Sequence, residues 1–233
     1  PHVDEILQNL PILVGVPAAA RSVDENGDMW FRQPNPFSDR GRIITGSFDA
    51  HYWDSVDADP PGPPGRTPDR ATMETEFSDP AGNDYRVVLD HVVKPPFPGY
   101  ETGGGVMIDS VHHGSTGTGS PLMPRVETLA AFWGIGDVYI NGELAQPKRV
   151  MHMMTTEVVR DRDYRLASAD ELPLSANERI IKGQEHHTHL VVLPIKVGKE
   201  GPEFSPLKTA FELPNGKPQP FMHIMFEQDD VVQ

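Results

Sequence analysis

Proline and glycine punctuate this chain from end to end: 24 prolines and 21 glycines in 233 residues, falling between short apolar stretches. Proline removes a backbone donor and clashes with the preceding helical turn, and glycine weakens a helix interior. Breaks this frequent argue against a helical bundle. They are the marks of many short strands joined by turns.

The pattern between the breaks supplies the strands. Residues 43–53 (IITGSFDAHYW) read as one. Residues 73–77 and 85–93 flank a Ser78–Asp84 turn containing Pro80 and Gly82, the chemistry of a tight reversal. Residues 103–110 follow as another strand. Residues 126–133 fit either a strand or a short helix. Asn141-Gly142 accepts the two positive φ values of a type I′ turn and predicts a hairpin between 137–140 and 143–145. Residues 149–160 and 187–197 are further strands, the second carrying Pro194 at an edge or bulged position. Residues 209–213 and 220–227 suggest a closing hairpin, and 168–172 a short helix. The fold expected is all-β: an antiparallel β-sandwich, jelly-roll or immunoglobulin-like, with roughly nine to eleven strands and little helix.

Residues 57–69 hold five prolines and two glycines, which suits a surface loop with polyproline character. They divide an N-terminal arm with its first strands, residues 1–56, from a sandwich core at 70–233. The arm is expected to pack on the core as part of one structural domain.

Charge and composition narrow the function classes. The net charge is −14, without a long basic run, so nucleic acid is a poor partner. No apolar run reaches the roughly 18 residues of a membrane-spanning helix, and no membrane insertion is expected. Residues 10–20 (LPILVGVPAAA) end in small residues as a signal peptide does, but Asp4 and Glu5 precede them. The start at Pro1 is consistent with a removed export signal, and the expectation is an exported, periplasmic or extracellular protein. With no cysteine, thiolate metal sites, Cys nucleophiles and iron–sulfur clusters are excluded.

Against that absence stand ten histidines and nine methionines. They cluster as Met151-His152-Met153-Met154, His186-His187-Thr188-His189 and Met222-His223-Ile224-Met225. Residues two apart on a strand share a face. His152 then shares a face with Met154, His187 with His189, and His223 with Met225, while Met151, Met153 and Met222 turn to the other side as core. Imidazole with thioether suits copper, Cu(I) in particular; imidazole alone suits zinc or iron. The expected metal ligands are His152, His187, His189 and His223, with Met154 and Met225 as soft donors. His112 and His113, before a Gly-rich loop, join the site or form another. Glu185 and Glu227 lie beside the clusters as ligands, imidazole-orienting groups or bases.

The function expected is that of a metal-binding protein, with copper binding, delivery or sensing as its role. One alternative is a metalloenzyme whose three-histidine site keeps an open position, as an oxidase or hydrolase. Another is a metal-free module that presents aromatics or loops to a carbohydrate or protein partner.

Overall fold

The computed structural model describes residues 21–23, 29–31, 44–56, 66–79, 81–94, 105–112, 126–157, 186–211 and 218–226. These are all-β, with no helix among them. The strands are β1 (Arg21–Val23), β2 (Met29–Phe31), β3 (Gly46–Trp53), β4 (Arg70–Ser78), β5 (Asp84–Val92) and β6 (Val106–His112). They continue as β7 (Val126–Ile140), β8 (Glu143–Glu157), β9 (His186–Gly198), β10 (Gly201–Phe204) and β11 (Met222–Phe226). β1 and β2 pair with each other. The other nine form one antiparallel sheet whose main path is β10-β9-β8-β7-β5-β4-β3. β6 joins β7 beyond the end of β5, and β11 joins β9 beside β10.

The sheet curls into a half-barrel. In a flat sheet β3 and β11 would lie roughly 29 Å apart, six spacings of about 4.8 Å. Instead the Phe48 and Phe226 rings meet at 4.4 Å, and Tyr52 of β3 meets Phe132 of β7 at 5.7 Å. The concave face thus closes over one apolar core that includes Met73, Phe77, Val87, Phe132, Met151, Met153, Leu190, Met222 and Ile224. Each such side chain contributes about 1.5–3 kcal/mol on burial. Right-handed strand twist supplies part of the curl. Gly136 permits close approach at the bend: a Cβ there would overlap the Val88 carbonyl oxygen and the Met151 side chain.

The convex face has two characters. Over β3 and β4 it is exposed and polar, as the alternating burial of β4 shows, and it carries the Glu74–Arg86 ion pair. Over β7, β8 and β9 it is buried too. Trp133, Val150, Leu193 and Ile195 form a second apolar cluster there with Val93 and Met107. Strands buried on both faces lose the simple in–out alternation, and for that reason residues 126–133 had fitted a helix equally well. They belong to a single 15-residue strand.

Turn chemistry places the hairpins. Asn141 and Gly142 have φ of 52° and 81°, and β7 and β8 pair across them, as the Asn-Gly step predicts. Asp79 organises the β4–β5 turn. It accepts hydrogen bonds from the Ala81 and Asn83 N–H groups, the Asn83 amide and the Tyr85 hydroxyl. Pro194 sits in a bulge: Arg149 to Met151 of β8 spans Lys196 to Val192 of β9. β10 pairs above it and β11 below, so the missing N–H falls where the ladder changes partner. Of the hairpin expected between 209–213 and 220–227 the described residues show the neck, where the Gln219 N–H donates to the Phe211 carbonyl oxygen and the Leu207 N–H to the Pro220 carbonyl oxygen, both at 2.8 Å, but residues 222–226 turn away from it. They pair with β9, where Met222, Ile224 and Phe226 extend the core. The helix expected at 168–172 and most of the 57–69 loop lie outside the described residues.

Asp69 ties three elements together. Its buried carboxylate accepts the Ser55 N–H at 3.0 Å and the Gly105 and Val106 N–H groups at 3.1 and 3.0 Å. Asp69→Ala leaves these donors without their acceptor and is expected to destabilise the protein by about 3 kcal/mol, measured as a lowered midpoint in urea unfolding with an unchanged slope.

Candidate functional site

The three His/Met clusters fall on adjacent strands, in the order β8-β9-β11, and register fixes their facing. His152 pairs with Val191, and Val191 with His223. Met154 pairs with His189, and His189 with Met225. Thr156 pairs with His187. These residues therefore lie on one face, the convex one. Met151, Met153 and Met222 are fully buried in the concave core, as the period-two pattern predicts.

Three imidazoles come into contact. His189 Nδ1 lies 3.0 Å from His223 Nε2, and His189 Nε2 lies 2.7 Å from His187 Nε2. The His187 and His189 rings meet edge-on at 4.2 Å, whereas the His189 and His223 rings lie end to end and nearly coplanar, 16° apart with centroids at 5.3 Å. A neutral imidazole has one N–H and one lone pair. In the neutral trio His189 therefore donates one of these hydrogen bonds and accepts the other. Burial is graded along the chain: His187 is fully buried, and His189 and His223 are half-buried. Among the described residues no three His, Asp or Glu side chains converge to hold a single metal ion. The contacts explain this, because His189 presents a different nitrogen to each neighbour.

The remaining expected ligands are placed differently. His152 stacks on Trp133, with centroids 4.4 Å apart and planes 18° from parallel. Its Nδ1–H donates to the Phe132 carbonyl oxygen at 2.7 Å. In the neutral ring the lone pair is then on Nε2, the tautomer that a metal-binding imidazole commonly adopts. Val191 separates it from His223 in their row, roughly 10 Å between α-carbons over two strand spacings. Met154 is buried beside Ala131, and Met225 is half-buried. They flank His189 from either side.

His112 belongs to another neighbourhood. Ser110, Thr128, Thr156 and His187 lie in one row across β6, β7, β8 and β9, and the three strand spacings put Ser110 roughly 14 Å from His187. His112 Nε2 lies 3.0 Å from the Ser110 hydroxyl. His113, Glu185 and Glu227 lie outside the described residues. The polar row was not legible in the sequence. The bulge at Leu129 is what sets Thr128 opposite Thr156; an unbroken register from the Ala130–Thr155 pair would place Leu129 there, so simple alternation along β7 does not reveal the row.

No protein-family model, curated protein or solved structure matches this chain. None of the described helices is long and apolar enough to cross a membrane, since the described residues contain no helix.

Burial pushes the His112 pKa down from 6.5 to about 4. The unfolded chain therefore takes up a proton at this group first as pH falls. The stabilisation is complete above pH 6.5 and is lost between 6.5 and about 4, amounting to about 3 kcal/mol. NMR titration of the His112 ring is expected to show it still neutral at pH 5, and His112→Phe should flatten the pH dependence of unfolding free energy in that window.

Proposed function

We propose that this protein binds a transition metal, copper in the first place, at His187, His189 and His223, with Met154 and Met225 as thioether donors. The observation that carries this reading is the contact of three imidazoles across two neighbouring strands, at 2.7 and 3.0 Å, with a methionine in register on each side of the central one. Imidazole and thioether together favour Cu(I) over zinc, because a soft donor selects a soft ion. A half-buried rim at His223 and Met225 gives an ion a way in, while His187 lies within the protein. Binding, delivery or sensing is the corresponding role, in an exported protein. The surrounding fold, in the same reading, is a sandwich in which β3 faces β7 and β11, supported by the Tyr52–Phe132 and Phe48–Phe226 contacts.

Elemental analysis of untagged protein tests the reading. Copper is expected to copurify or to load after exposure to Cu(I), and to fall to background in the combined His187→Ala, His189→Ala and His223→Ala variant. Met154→Leu and Met225→Leu keep the packing volume and remove the sulfur. Each is expected to weaken Cu(I) roughly tenfold in a competition titration with a chromogenic chelator. Metal content unchanged in the triple variant would sink the assignment, and absence of any metal would favour the metal-free module.

A further inference from the structure

We propose that His189 bridges two metal ions, one held by His189 Nδ1 with His223 Nε2 and the other by His189 Nε2 with His187 Nε2. This rests on the metal-binding reading above and goes further, to the number of ions and their coupling.

The argument starts from which atoms meet. The two contacts of His189 use its two different ring nitrogens. Those nitrogens point away from each other across the ring, so one ion cannot take both. An ion bound through Nδ1 has His223 beside it, and an ion bound through Nε2 has His187 beside it. Two nitrogens bound to one metal at 2.0–2.1 Å are about 2.9 Å apart at a right angle and about 3.3 Å apart at the tetrahedral angle. The observed 3.0 Å already falls in that range and 2.7 Å is a few tenths of an ångström short of it; in each pair the rings must also turn so that both nitrogens, now aimed at each other, point their lone pairs at the ion. The alternative, a single shell of three imidazoles, is not formed among the described residues. The arrangement is instead two nitrogen pairs that share a ring.

The strand register gives each pair its own third donor. Met225 shares β11 with His223, two residues on, and pairs with His189 from that side. Met154 pairs with His189 from β8, two residues before Thr156, which pairs with His187. Each half is thus two imidazoles and one thioether. The halves differ in access, since His223 and Met225 are half-buried whereas His187 and Met154 are buried. The outer position therefore exchanges faster. Filling both positions replaces the two N–H···N hydrogen bonds with metal–nitrogen bonds. The neighbour that had donated to His189 from Nε2 exchanges that proton through solvent for one on Nδ1, so that His187 and His223 each end with one ring proton on Nδ1, and His189 gives its proton to solvent as it becomes a bridging imidazolate, a net release of one proton per chain.

The test uses the full chain, stripped with a chelator, loaded with Cu(II) and desalted. Expected are two copper ions per chain and an electron paramagnetic resonance signal far below two spins, because an imidazolate couples its two ions antiferromagnetically. His187→Ala and His223→Ala are each expected to bind one ion with the full signal of isolated Cu(II). His189→Ala, with folding checked by circular dichroism, is expected to lose both. Saturation at one ion per chain, or two ions with a full two-spin signal, overturns the bridge and leaves the metal-binding reading standing. No copper bound by the wild-type chain overturns both.

Discussion

The curl of the main sheet is the constraint on which the rest of the structure depends. Nine antiparallel strands laid flat would leave their apolar face in water, and the aromatic side chains of β3 would have nothing to cover. Bringing Phe48 onto Phe226, and Tyr52 onto Phe132, turns that face into a closed core. The contact also fixes β11. Its Met222, Ile224 and Phe226 reach the core only when the strand lies against β9, and in that position His223 and Met225 turn to the opposite face. Core packing on one side of a pleated strand therefore sets the chemistry on the other.

β9 is the strand where these demands meet. Its lower half holds β8 and β11 on its two sides, and its upper half holds β8 and β10. Pro194 occupies the bulge between the halves, and the Ser205 N–H donates to its carbonyl oxygen at 2.8 Å. Below the bulge, Leu190 and Val192 face inward, so His187, His189 and Val191 face outward in a fixed register. A slip of one residue would carry the imidazoles into the apolar core and the aliphatic side chains out of it, and burial on both faces makes that costly. The imidazole chain is thus held by the packing around it.

Much of the local structure was legible in the sequence, and for identifiable reasons. Asn141-Gly142 specified its turn because few residue pairs tolerate consecutive positive φ values. Pro194 announced a bulge because it has no N–H to give a ladder. Other expectations failed where burial is two-sided or pairing is distant. Residues 126–133 carry no clean alternation because Ala131 and Trp133 are buried on the outer face as Phe132 is on the inner. The hairpin expected between 209–213 and 220–227 holds among the described residues at its neck, 207–211 with 219–220, whereas the apolar face of 222–226 pairs with β9.

For the candidate site the division is equally physical. The sequence by itself determined that the chain is built from strands, that cysteine chemistry is absent, and which members of each His/Met cluster share a face. Those follow from composition and from the period of two, which are local properties. Only the tertiary structure decided that β8, β9 and β11 are neighbours, that His187, His189 and His223 touch through particular nitrogens, and that His152 stacks on Trp133 instead. Strand order and register are long-range choices, made by whichever pairing buries the most apolar surface without stranding polar groups. No feature within a single strand encodes that choice.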